Sequence, residues 1–158
     1  MSDPHNVTVT AIIIKNGKYL ITKRPSTKRL FPDKWTVPGG NLESNDYINL
    51  PKDTAYHWYN ILEKVVRREV KEETGLDIKN IEYLTSMTLL TPSNPMLIIS
   101  LFAEHDNGEV ILNEESVAHE WVSLEEAKNY DLIEGIYEEL EMLDNLLKGN
   151  KPKEWRKV

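Results

Sequence analysis

The stretch Arg67-Arg68-Glu69-Val70-Lys71-Glu72-Glu73-Thr74-Gly75-Leu76 breaks several rules of helix construction within a few residues. Asn60 followed by Glu63 reads as a capping box, so a helix is expected to start there and run through Leu62, Val65, Val66 and Val70. Gly75 is a suitable residue to end it. At about 100° per residue, Glu69 and Glu73 project within about 20° of Leu62, between Val65 and Val66. Both carboxylates therefore continue the apolar stripe, and Glu72 lies at its flank. Carboxylates four apart repel by a few tenths of a kcal/mol at a surface. The C-terminal turns of a helix disfavour negative charge by roughly 0.3–1 kcal/mol more, and partial burial raises the cost further. Two readings account for such a segment. One is a solvated acidic face with Arg67, Arg68 and Lys71 as ion-pair partners. The other is a hard divalent cation, which takes oxygen ligands and neutralises all three charges; the position on the apolar side favours it.

Composition supports the second reading. A chain of 158 residues, 40% apolar and 28% charged, suits one globular domain. It has no cysteine, which excludes disulfides, thiolate catalysis and cysteine-held zinc. The start Met1-Ser2-Asp3-Pro4-His5 lacks the basic-then-apolar layout of a signal peptide, and no apolar run approaches the ~20 residues of a membrane-spanning helix. A cytoplasmic enzyme or binding domain is expected. The net charge of −7 argues against a general nucleic-acid binder. It would also repel a phosphate ligand unless a divalent cation intervened.

Outward from the helix, Val7–Ile14 and Lys18–Arg24 read as strands joined by an Asn16-Gly17 hairpin. Pro25 to Lys34 reads as a loop, and Trp35-Thr36-Val37 as a short strand running into Pro38-Gly39-Gly40. Ser44 to Tyr59 shows no clean period. Strands are expected over Asp77–Leu90 and Met96–Glu104, turning through Pro92-Ser93-Asn94-Pro95. Further strands are expected at Val110–Leu112 and around His119–Val122. Ser123-Leu124-Glu125-Glu126 is a second capping box, and Ile133, Ile136, Tyr137, Leu140, Leu143 and Leu147 mark a closing helix. The tail Lys148–Val158 carries five basic residues and one acid and reads as a solvated, loosely ordered end, with Trp155 able to dock onto the domain. The order of elements gives an α/β fold with a mixed sheet.

The decisive helix resembles the second half of the Nudix (MutT-like) signature, G-x5-E-x7-R-E-U-x-E-E-x-G-U, where U is aliphatic: Arg68-Glu69-Val70-Lys71-Glu72-Glu73-Thr74-Gly75-Leu76. Upstream, Trp35-Thr36-Val37-Pro38-Gly39-Gly40-Asn41-Leu42-Glu43 resembles the W-x-x-P-G-G-x-x-E lead-in to that box. The resemblance implies a Nudix-type α/β/α sandwich over residues 1–147, with 148–158 as a basic tail. Gly40 and Arg68 stand 28 positions apart where the signature has 14, so fourteen residues are inserted, within 44–59. The first signature Glu then has no clear counterpart: counting from Gly40 reaches Asp46, and counting back from Arg68 reaches Asn60. Tyr47, Tyr56, Trp58 and Tyr59 of the insert either cap a bound base or pack over the sheet.

By this resemblance Glu69, Glu72 and Glu73 hold Mg²⁺ (or Mn²⁺), with the carbonyl of Gly40 completing the shell, and Arg68 orients a carboxylate. Glu69 and Glu115 are both candidates for the general base, and Glu114 is a near-miss for the same role. Glu120 is expected to face solvent. Lys23 and Arg24, at a strand end before the glycine loop, are candidate phosphate contacts. His57 and His119 have no partners at metal spacing and read as structural or surface residues. The implied activity is Mg²⁺-dependent hydrolysis of a phosphoanhydride bond in a small-molecule nucleotide, foremost nucleoside triphosphate pyrophosphohydrolysis. ADP-ribose or another nucleotide sugar is the alternative substrate, and a non-catalytic nucleotide sensor is the alternative of another class. Nudix proteins commonly form homodimers.

Overall fold

The computed structural model describes residues 3–151 and 153–158. Met1 and Ser2 of the expected domain, and Pro152 of the basic tail, lie outside the described residues. Strands β1 (Asn6–Lys15) and β2 (Lys18–Lys23) form the expected hairpin. Asn16 and Gly17 both take positive φ, 51° and 73°, as the tight two-residue turn demands. The remaining strands are β3 (Trp35–Thr36), β4 (Gly39–Asn41), β5 (Asp77–Leu90), β6 (Pro95–Asn107) and β7 (Ala118–Val122). They join one seven-stranded sheet with the path β3-β2-β1-β6-β5, while β4 pairs with β1 and β7 with β2. The β1–β6 pair is parallel and the other pairs are antiparallel, so the sheet is mixed as expected.

Alternation along β1 splits the core between two faces. Val9, Ala11 and Ile13 face helix α1 (Ile61–Thr74), whose Val65, Val66 and Val70 are fully buried against them. Each such buried valine contributes roughly 1.5–3 kcal/mol. Ile12, with Tyr19 and Ile21 of β2, faces the opposite way, onto Leu140 and Leu143 of α3 (Ile136–Leu147). Helices on both faces make the α/β/α sandwich. Between β7 and α3 lies the short α2 (Leu124–Ala127), closed by the expected capping box: the Glu126 amide donates to Ser123 Oγ at 3.1 Å and the Ser123 amide to Glu126 Oε2 at 2.8 Å.

Two expectations about local structure are overturned. Asn60 does occupy the N-cap position of α1, but at φ 57° it is left-handed and its side chain makes no capping hydrogen bond. The capping box forms one segment earlier, where Glu43 and Asp46 bracket a single 3₁₀ turn (Ser44–Asp46). Second, Val110–Leu112 is no strand. Its neighbourhood satisfies the end of α1: the Ile111 amide donates to the Thr74 carbonyl at 2.9 Å, and the Asn113 amide to the Glu73 carbonyl at 3.3 Å. Those carbonyls have no partner within the helix, so a passing extended segment gains more by capping them than by pairing in the sheet. Gly75, at φ 74°, ends α1 as expected. The closing helix begins at Ile136, so Ile133 belongs to the approach instead of the helix.

Candidate active site

The glycines of β4 run alongside the last turns of α1. A Cβ on Gly40 would fall inside the Glu69 carboxyl group, and one on Gly39 would overlap the backbone of Val9 and Thr10. Only glycine lets the strand pass this close. The Gly39 amide donates to Glu73 Oε2 at 3.4 Å, a long bond. Together Gly39, Gly40, Glu69, Glu72 and Glu73 border a polar cleft of about 550 Å³, with Asp46, Arg68, Glu114 and Glu115 around its rim.

Burial differs sharply among the three helix carboxylates. Glu73 is 8% exposed, whereas the Glu72 side chain is 55% exposed and Glu69 lies between. Burial, and then repulsion from Glu69, pushes Glu73 up to about 8, with the Gly39 amide opposing. Burial also raises Glu69, against the pull of Arg68. Charges that a helix does not tolerate are thus held inward, as the wheel projection anticipates.

Arg68 organises this end of the cleft. Its Nε ion-pairs with Asp46, and its Nη1 donates to Glu69 at 2.7 Å and to Glu72 at 3.2 Å. Its Nη2 donates to the Asn41 carbonyl and to Asp46, each at 3.2 Å. Burial works against the Asp46 anion, but Arg68 and the Glu43 amide outweigh it and leave its pKa below the usual carboxylate value. Asp46 therefore ties the turn after β4 to Arg68 on α1. The spacing from Gly40 had pointed to Asp46; a register counted back from Arg68 had pointed to Asn60, whose side chain caps nothing.

Glu115 reaches the cleft from the far side because Asn113 is tied to the end of α1 and its Oδ1 accepts from the Glu115 amide at 2.9 Å. Lys28 of the Pro25–Lys34 loop ion-pairs with Glu115, a cation that the sequence reading had not singled out. Arg24 is half-buried, its Nε and Nη2 donating to the Leu30 carbonyl at 3.1 and 2.9 Å, so it braces that loop. Lys23 borders neither the cleft nor the apolar recess beside it; its carbonyl accepts from the Val117 amide at 2.8 Å. Glu120 is exposed and His119 half-buried on β7, while His57 is exposed beside Thr54.

The four aromatic residues after Asp46 divide into a packed pair and two exposed rings. Tyr47 and Trp58 pack on each other with ring centres 5.2 Å apart, while Tyr56 and Tyr59 are exposed. None of the four borders the cleft.

Among the described residues no three acidic or histidine side chains converge into a ready-made cation cluster, because Arg68 lies between Glu69 and Glu72. The donor set nonetheless fits a hard divalent ion: three carboxylates on adjacent turns, one buried without a strong donor, beside a glycine backbone with no Cβ in the way.

A profile describing the NUDIX domain matches residues 4–143. The protein named nucleoside triphosphatase NudI in Escherichia coli is 28% identical over 141 residues, spanning 79% of this chain and 87% of that protein, and the Shigella flexneri protein of that name matches equally. Among solved structures, a MutT protein from Methanosarcina mazei superposes with a TM-score of 0.70 at 24% identity, covering 94% of this chain and 99% of that one. The NUDIX domain of Shewanella oneidensis NrtR, solved with ADP ribose, superposes with a TM-score of 0.69 at 18% identity, over 92% and 90% of the two chains. Structural likeness at such identities speaks to fold, and fold alone does not assign a substrate.

Proposed function

Because the chain belongs to the Nudix hydrolase family, we propose that it cleaves a phosphoanhydride bond of a nucleoside triphosphate, releasing pyrophosphate and a nucleoside monophosphate. The observation that carries this reading is the inward pair Glu69 and Glu73 against Gly40 on β4. Support for the substrate comes from the name of the Escherichia coli relative. In this reading residues 1–147 form the catalytic domain, 44–59 hold the insertion, and 148–158 are a tail.

Glu69, Glu72 and Glu73 with the Gly40 carbonyl would hold Mg²⁺, with Mn²⁺ substituting. The bound cation would neutralise phosphate oxygens and acidify a water. It would also resolve the mismatch between a chain of net charge −7 and a polyanionic substrate. Arg68, anchored on Asp46, holds Glu69 and Glu72 by hydrogen bonds at the edge of the site that would take the ion. With Glu69 as a ligand, Glu115, across the cleft and on no helix, would be left to take the proton from the attacking water. Lys28 holds Glu115 in position. Arg24 lines the recess beside the cleft, with its Nη1 left for a phosphate oxygen, whereas Lys23 lines neither the cleft nor the recess.

The test is a panel of nucleoside triphosphates, nucleoside diphosphates, ADP-ribose and other nucleotide sugars, run with Mg²⁺ and resolved for orthophosphate, pyrophosphate and nucleoside monophosphate. Pyrophosphate and monophosphate from triphosphates support the proposal. Turnover of nucleotide sugars alone moves the assignment to that class, and nucleotide binding without turnover makes the protein a sensor.

A further inference from the structure

The inference concerns the other end of the substrate and rests on the hydrolase reading above. Beside the carboxylate cleft, Gly39, Gly40 and Asn41 also border an apolar recess of about 320 Å³. That recess shares Phe31, Met87, Leu89, Ile98 and Glu139 with a further chamber of about 500 Å³ between the β5–β6 ribbon and the start of α3. One trough thus runs from an acidic end to an apolar end, with a volume suited to a small-molecule ligand. An anionic molecule with a flat aromatic head matches that gradient.

The far wall of the chamber is Trp155. Its indole N–H donates to the Gly135 carbonyl at 3.3 Å, and two residues later Lys157 ion-pairs with Glu134 at 2.6 Å. The chain backs onto the start of α3 where Gly135 has no side chain; a Cβ there would sit 3.8 Å from the indole. Trp155 is 38% exposed, so the indole is not used up by packing in the core. The NUDIX match ends at residue 143, so this wall is an addition beyond the matched domain. Phe31, held at φ 50° in the loop that Arg24 braces, lines the same chamber. The trough also carries a buried polar group, Glu139, 2% exposed. A buried carboxyl group in an otherwise apolar chamber is what a ligand with a hydrogen-bonding edge would meet.

We propose that the C-terminal tail completes a slot for the nucleobase, with Trp155 stacking on the ring, Phe31 facing it and Glu139 meeting its polar edge. The tail is then a determinant of substrate affinity and has no part in the chemical step. Stacking of this kind is worth about tenfold or more in affinity.

The experiment compares Trp155→Ala, Trp155→Phe and the unaltered full chain. The proposal expects KM for a nucleoside triphosphate to rise about tenfold in Trp155→Ala with kcat within about twofold, and Trp155→Phe to recover most of the loss. Inhibition by inorganic tripolyphosphate, which has no base, is expected to be the same in all three. Titration with a nucleoside monophosphate is expected to quench tryptophan emission in the unaltered chain and not in Trp155→Phe. An unchanged KM in Trp155→Ala overturns the slot, as does a parallel weakening of tripolyphosphate inhibition. If the unaltered chain hydrolyses no nucleotide, the functional reading fails separately, and quenching by the monophosphate still decides whether the slot exists.

Discussion

Asp46 and Arg68 are 22 residues apart in the chain and meet as an ion pair in which the Asp46 side chain is 5% exposed. The pair ties the turn after β4 to the helix that carries the carboxylates, and everything inserted between them loops away from the cleft. Removing Asp46 leaves the guanidinium without its main partner beside two glutamates. Asp46→Ala is therefore expected to lower stability by about 1–3 kcal/mol, because hydrogen bonds to a charged group are lost. It is also expected to lower kcat as Glu69 loses its anchor. Asp46→Glu, which keeps the charge, is expected to retain most of both. Urea unfolding with steady-state kinetics on the two variants measures this, and equal behaviour of Ala and Glu contradicts it.

Glu115 and the helix glutamates are expected to fail differently. Glu115→Gln keeps the cation site, so cation affinity is expected to stay within about threefold while kcat falls by about 10²–10⁴-fold, the usual worth of a general base. Loss of cation affinity in step with kcat would make Glu115 a ligand instead. A kcat unchanged by the substitution would return the role to Glu69.

Glu139 sets a pH dependence of stability in the protein without ligand. Burial pushes it up to about 7, with the neighbouring Ser100 hydroxyl opposing. In the unfolded chain a glutamate titrates near ~4.3. Below that pH the carboxyl is neutral in both states and its burial is tolerated. As pH rises towards 7 the unfolded chain releases the proton while the folded one retains it, so folding is progressively disfavoured. At ~1.36 kcal/mol per unit the loss approaches about 3–4 kcal/mol. Glu139→Gln removes this dependence. The stability difference between the two proteins, from urea unfolding at intervals from pH 4 to 8, is expected to grow in favour of Gln as pH rises and to level off above 7. Parallel curves contradict it.

Much of this was legible in the sequence because it is local. The Asn16-Gly17 turn, the Ser123 capping box and the end of α1 at Gly75 depend on residues within a few positions of one another. The inward face of Glu69 and Glu73 followed from helical periodicity. What stayed hidden depends on distant partners. Val110–Leu112 has strand composition, yet its backbone caps α1, which only the three-dimensional course of the chain reveals. Asn60 and Glu63 matched a capping pattern that a left-handed Asn60 cannot use. Lys28 reads as one more loop lysine until the fold sets it against Glu115. Glu139 sits one residue from the apolar stripe position Leu140 and gave no sign of burial beyond that adjacency.

The account depends on Glu73 being buried to hold a divalent ion. Manganese binding to the folded protein, read from the loss of the free-ion electron paramagnetic resonance signal, tests this most directly when Glu73→Gln is measured alongside. The expected result is binding by the unaltered protein and at least tenfold weaker binding by Glu73→Gln, with both showing the same far-ultraviolet circular dichroism. Equal affinity in the two proteins, or none in either, would contradict it.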